Sequence, residues 1–162
     1  MHVNKTQVLC MDIHNFFPSI NINQVFEAFH CVGYTSDVAQ ALAQLCTHNA
    51  ILPQGAPTSP TLANIIFSPI DQQILNAIST KEITYTRYAD DLIFSSSHEL
   101  DFLIPLVSEI ISTNGFEINS NKTHLMKNPY RKMITGLIVT DTVKIPKYYK
   151  RKFNQELFYC EK

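Results

Sequence analysis

The sequence predicts an α+β fold, an antiparallel sheet with helices packed on one face. Three observations carry this reading. The run Tyr85-Thr86-Arg87-Tyr88-Ala89-Asp90-Asp91-Leu92-Ile93-Phe94 has two β-prone, apolar halves around a tight polar centre, the pattern of a hairpin. Val8-Leu9-Cys10-Met11 reads as a buried strand leading into Asp12. Four further stretches repeat apolar residues at helical spacing. With 162 residues, 45% of them apolar and 17% charged, the chain suits one globular domain with a real core.

In chain order, a turn and short helix are expected over 15–20 after the first strand. Asn23 is read as the cap of a helix with Val25, Phe26 and Phe29 on one face, ended near Gly33. Ser36 caps the next, where Val38, Ala41, Leu42 and Leu45 keep helical spacing. Residues 51–60 hold three prolines and a glycine, and form a loop. Ser59-Pro60 starts a helix with Leu62, Ile65, Ile66, Ile70 and Ile74 inward, kinked at Pro69. The hairpin at 82–96 follows, then a helix over 99–113 with Leu103, Leu106, Val107, Ile110 and Ile111 inward, stopped by Gly115. Short strands are expected at 116–119 and 123–126, and a second hairpin over 132–145, turning at Thr140-Asp141. Pro146 opens a terminal helix over 147–160.

The net charge of −1 hides an asymmetry. Residues 1–120 carry 3 Lys/Arg against 11 Asp/Glu, whereas residues 121–152 carry 9 Lys/Arg against Asp141 alone. The first part suits a metal-carboxylate site, and the second is a basic patch able to neutralise phosphates. Cys10, Cys31, Cys46 and Cys160 are scattered, so neither a zinc site nor a disulfide framework is expected, and a reducing cytoplasm is the simpler setting. No apolar run approaches the length of a membrane span, and the N-terminus lacks a signal-peptide pattern.

The chemistry centres on carboxylates. In a straight strand Asp90 and Asp91 point to opposite faces, but in a tight turn both look the same way. Forced together, two carboxylates repel, which raises one pKa or recruits a cation. Hard divalent cations take oxygen ligands. Alone, an Asp-Asp pair is more simply a solvated acidic turn. Asp12, at the end of another apolar strand, supplies a third carboxylate. Three such groups converging would hold two divalent ions about 3.5–4 Å apart, the arrangement of two-metal phosphoryl transfer.

The surrounding residues resemble the reverse transcriptase family. Tyr88-Ala89-Asp90-Asp91 matches its central motif, and Asp12-Ile13-His14-Asn15-Phe16-Phe17-Pro18-Ser19-Ile20 resembles its first aspartate motif. Leu52-Pro53-Gln54-Gly55-Ala56-Pro57-Thr58-Ser59-Pro60 looks like its nucleotide-binding loop and the helix after it. Gly115-Phe116-Glu117-Ile118-Asn119 with Lys122-Thr123 matches the next motif, and Ile134-Thr135-Gly136-Leu137-Ile138-Val139 resembles the primer-gripping hairpin. Five motifs in order cover nearly the whole chain. The bacterial retron type is the nearest pattern, with His2 at the histidine of its Asn-Ala-x-x-His element and Ile134-Thr135-Gly136 close to its Val-Thr-Gly triplet.

The resemblance implies a polymerase palm over 1–145 and the beginning of a thumb helix over 146–162. It implies Asp12, Asp90 and Asp91, with the carbonyl of Ile13, as ligands of two Mg²⁺ ions, for which Mn²⁺ can substitute. Phe17 would be the ring that excludes a 2′-hydroxyl, with Phe16 a core residue. Gln54 and Gly55 would meet the incoming nucleotide, Lys122 would protonate the departing pyrophosphate, and Tyr88 would support the primer end. Arg131, Lys132, Gly136, Lys144 and Lys147 would contact nucleic acid. Implied partners are an RNA template and primer, deoxynucleoside triphosphates, a cognate structured noncoding RNA and an unknown effector protein in antiviral defence. The setting is the bacterial cytoplasm, with no membrane partner.

Only eleven residues precede Asp12, where family members place their fingers, and the thumb region stops after one helix. The expectation is a palm fragment with weak or no polymerase activity alone. Two other readings stay open. One is a non-catalytic RNA-binding remnant or partner-dependent module; the other is a group II intron maturase.

Overall fold

The computed structural model describes residues 2–127 and 132–160. The first sheet holds four antiparallel strands in the order β2-β3-β1-β4. These are β1 (Gln7–Asp12), β2 (Thr84–Tyr88), β3 (Asp91–Ser96) and β4 (His124–Lys127). The helices are α1 (Ile22–Val32), α2 (Ser36–Cys46), α3 (Ser59–Ile78), α4 (Leu103–Thr113) and α5 (Lys147–Cys160). Three short strands, β5 (Lys132–Ile134), β6 (Leu137–Val139) and β7 (Val143–Lys144), make a separate antiparallel sheet.

The register sorts the side chains. Leu9 lies opposite Phe94 and Met11 opposite Leu92, and these four join the main core. On that face Phe67, Ile70 and Ile74 of α3 and Leu103, Val107 and Ile111 of α4 pack against the sheet. Alternation sends Val8, Cys10 and Ile93 to the other face. There Val8 and Ile93 cluster with Ile134 and Val139 of the small sheet. Both faces of β3 are therefore covered, which is why Leu92–Ser96 is buried throughout. Asp12 and Asp91 share the face turned away from the helices, at the end of the strands.

Most expected elements form, and the differences have physical causes. Residues 14–19 make turns without a helix. The cap of α1 is Asn21 in place of Asn23: its side chain accepts from the N–H groups of Asn23 and Gln24, and Gln24 returns a bond to the Asn21 N–H. Gly33 ends α1 at φ 110°, as expected. The buried residues of α2 are Ala39 and Ala43, while Val38 and Leu45 are exposed; α1 approaches along the small side chains. The cap position of α2 is Thr35, without a side-chain bond. In α3 the buried stripe includes Phe67, and Ile65 is exposed. The helix runs through Pro69 unbroken. α4 starts at Leu103, later than expected. Residues 116–119 form only a single bridge, Ile118 to Ile13, followed by a 3₁₀ turn at Ser120–Lys122. The expected hairpin over 132–145 is a three-stranded meander with an added turn at Thr135-Gly136, whose φ values of 45° and 81° suit a two-residue hairpin loop.

Candidate active site

Strand β1 and the β2–β3 hairpin build the site. Asp12 and Asp91 are paired residues on adjacent antiparallel strands, so their side chains leave the same face of the sheet as neighbours. Tyr88 pairs with Asp91, leaving Ala89 and Asp90 as a two-residue loop. Ala89 sits at φ 51°, in the left-handed region that suits glycine or asparagine better. The Ile13 N–H donates to the Asp90 carbonyl at 3.0 Å, tying the loop to the end of β1. The Asn119 N–H donates to the Asp12 carbonyl at 2.8 Å, which brings the Lys122 segment alongside.

Charge is concentrated here. Burial, then the neighbouring Asp90 and Asp12 carboxylates, raise the pKa of Asp91, against a smaller opposing pull from Lys122. Lys122 donates to Asp12 Oδ2 at 2.9 Å, and this bond holds its proton more firmly than usual. Asp12 is nearly buried, whereas the Lys122 side chain is largely exposed. Among the described residues no three His, Cys, Asp or Glu side chains form a ready metal cage. The donor set nonetheless fits a hard divalent cation: carboxylates that repel one another, within a polar cleft. Asp12 would have to exchange its Lys122 bond for that ion.

A cleft of about 360 Å³ is lined by Asp12, Ile13, Phe17, Gln54, Asp90 and Lys122, so six of the expected site residues meet in one space. Phe17 is half-buried beside Phe16, which is a core residue as expected. Gly55 takes φ 91° and does not line the cleft; its place is to turn the loop that presents Gln54. The Ser59 hydroxyl donates to the Pro53 carbonyl at 2.6 Å and steadies that loop. A second groove of about 610 Å³ holds Asp91, Cys10, Lys122 and Thr135, so the Thr135-Gly136 turn borders the carboxylates. Tyr88 is 73% exposed beside the loop.

Other expected contacts lie apart. Lys144 and Lys147 line a different groove, formed by the small sheet and the start of α5. Arg131 falls outside the described residues, and Lys132 is placed only by its backbone in β5.

Sequence reasoning missed a network on the helix side of the hairpin. Arg87 forms a two-pronged pair with Asp71 of α3, with Nη2 to Oδ2 at 2.8 Å and Nε to Oδ1 at 3.0 Å. Tyr85 donates its hydroxyl to the same carboxylate at 2.7 Å. Burial, followed by the Asp71 charge, drives the Tyr85 pKa upward. The signal in the sequence was an arginine in a β-strand between tyrosines, whose charge needs a partner once the strand packs.

The comparisons agree with this geometry. The reverse transcriptase (RNA-dependent DNA polymerase) family matches residues 2–148. The retron Ec86 reverse transcriptase of Escherichia coli is 37% identical over 145 residues, covering 86% of this chain and 44% of that protein. The retron Mx65 reverse transcriptase of Myxococcus xanthus is 32% identical, over 88% of this chain and 38% of its own length. The retron Se72 reverse transcriptase of Salmonella heidelberg is 30% identical, over the whole of this chain and 45% of its own. The chain thus spans less than half the length of these relatives. Among solved structures, a truncated apo telomerase from Candida tropicalis superposes with a TM-score of 0.64 at 16% identity, covering 86% of this chain and 35% of that one, a likeness of fold. Matched along nearly its whole length, the chain belongs to the reverse transcriptase (RNA-dependent DNA polymerase) family, and the members it resembles are retron enzymes.

Proposed function

We propose that this chain is the palm of a retron-type RNA-directed DNA polymerase, with residues 1–145 as the palm and 146–162 as the start of a thumb helix. The observation that carries the reading is the Asp12–Asp91 cross-strand pair, with Asp90 in the adjoining loop and a cleft that Asp12 and Asp90 line together with Phe17 and Gln54. Asp12, Asp90 and Asp91, with the Ile13 carbonyl, would hold two Mg²⁺ ions, or Mn²⁺ in their place. Bound there, divalent ions supply activation of a primer hydroxyl and stabilisation of the leaving oxygen. Phe17 sets an apolar wall where a ribose 2′-hydroxyl would need room. Gln54 offers hydrogen bonds to the incoming deoxynucleotide. Lys122, protonated, would give a proton to the departing pyrophosphate. Tyr88 and the Thr135-Gly136 turn would meet the primer end, and Arg131, Lys132, Lys144 and Lys147 its phosphates.

The partners we propose are a primed RNA template, deoxynucleoside triphosphates and a structured noncoding RNA, in a bacterial cytoplasm. One observation favours a second reading, an RNA-binding module without catalysis: α5 exposes Tyr148, Tyr149 and Phe153 among Lys147, Lys150, Arg151 and Lys152, as a stacking and phosphate-binding surface would. The test is Mg²⁺-dependent extension of a primer on RNA by this chain joined to the flanking segments of a retron relative. Extension that is lost with Asp90→Asn, and that loses its preference for deoxynucleotides with Phe17→Ala, is expected. RNA binding without any extension would instead favour the module.

A further inference from the structure

We infer that Arg87 is a positioning residue for the metal-binding loop: anchored on Asp71 of α3, its guanidinium holds the Ala89 carbonyl and so sets where Asp90 and Asp91 present their carboxylates. This rests on the reading of those aspartates as metal ligands.

Arg87 lies opposite Leu92, on the helix face of the sheet, with only 8% of its side chain exposed. It therefore faces away from the side on which Asp12 and Asp91 emerge. An ion pair with Asp71 would occupy only Nε and Nη2. The remaining nitrogen is also placed: Nη1 donates to Asn64 Oδ1 at 2.9 Å and to the Ala89 carbonyl at 3.1 Å. The guanidinium lies over the Phe67 ring at 4.6 Å, and its plane is thereby fixed from a second direction. Asn64, Phe67 and Asp71 all belong to α3, so a rigid helix dictates the position of the fork.

The loop needs such a restraint. Ala89 holds a left-handed conformation that a non-glycine residue keeps only when its surroundings impose it. Two consecutive carbonyls are tied: Ala89 by Arg87 from the helix side, Asp90 by the Ile13 N–H from β1. With both peptides fixed, the two aspartates have little freedom beyond their own rotamers. Outer partners that orient ligands in this way commonly govern metal affinity by about 10- to 100-fold. Lysine cannot replace the fork, since one ammonium cannot pair with Asp71 in two prongs and also reach the carbonyl.

The test is Mn²⁺ affinity by electron paramagnetic resonance, with the thermal midpoint recorded beside it. Removing Arg87 alone would leave the partly buried Asp71 charge unpaired, so the informative variant is Arg87→Met with Asp71→Leu and Tyr85→Phe, because an apolar replacement of an ion pair out of water often keeps the fold. Arg87→Lys retains the charge and decides the matter should the triple variant not fold. Each folded variant is expected to bind Mn²⁺ about 10- to 100-fold more weakly than the wild type. A folded variant that binds Mn²⁺ as tightly as the wild type overturns the assignment. Asp91→Asn separates the two levels: if it binds as well as the wild type, or the wild type binds no Mn²⁺, the metal-site reading falls and this inference with it.

Discussion

As a proposed metal ligand, Asp91 carries a conflict between folding and function. Burial and two neighbouring carboxylates raise its pKa above the ordinary carboxylate value. The folded chain therefore binds a proton there more firmly than the unfolded chain does. Stability from this group falls as pH rises from the ordinary value through the raised one. Asp91→Asn removes the repulsion, so it should raise the thermal midpoint at pH 7 and flatten the acid limb, while abolishing metal binding. Calorimetry across pH 4 to 8 checks the sign; a lower midpoint for the variant would contradict it. Cys10, on the same face, has its thiol pushed up to about 11 by burial and by Asp91. Exposed Cys31 should be alkylated by iodoacetamide at pH 8 well before Cys10, as read by mass spectrometry of digested peptides.

At the scale of elements, local chemistry was more legible than partnership. The hairpin, the Gly33 stop and the Ser59-Pro60 start follow from nearby residues, and all are found. Residue type alone does not choose the α1 cap, because Asn21 and Asn23 are equivalent by type. Only the reciprocal bond from Gln24 singles out Asn21. Asn21→Ala should therefore cost about 1 kcal/mol, whereas Asn23→Ala should be nearly neutral, as measured by urea denaturation. The stripe of α3 differs from expectation for another reason: periodicity admits both Ile65 and Phe67, and the Phe16 and Phe116 rings select Phe67. Phe67→Ala should cost about 3–5 kcal/mol in the same assay, and would also remove the plane on which Arg87 rests. Of the candidate site, Asp12, Phe17, Gln54, Asp90 and Lys122 were all readable from motif and spacing, and they meet in one cleft. Asn64 and Asp71 were not readable, because nothing local says that a polar residue on one helix will meet an arginine sixteen or more positions away.

For the molecule as a whole, the central strands are covered on both faces, and Asp12, Asp90 and Asp91 gather at their end. Of the basic second part of the chain, Lys132 and Lys144 lie in the small sheet and Lys147, Lys150, Arg151 and Lys152 in α5, whose residues are exposed along its length. If that surface meets RNA phosphates, replacing Lys150, Arg151 and Lys152 by Gln should weaken RNA binding and reduce the slope of log affinity against log salt by about 1 per charge removed. Filter binding at several salt concentrations reads this directly. None of the helices among the described residues is long and apolar enough to cross a membrane.

Asp12, Asp90 and Asp91 are proposed to form one divalent-ion site. Its most direct test is a crystal structure of the chain grown with Mn²⁺, with the ions located by anomalous scattering. Anomalous peaks are expected within bonding distance of the Asp12 and Asp91 carboxylates, with Lys122 moved off Asp12. Mn²⁺ bound only elsewhere, with the Lys122–Asp12 pair intact, would contradict it.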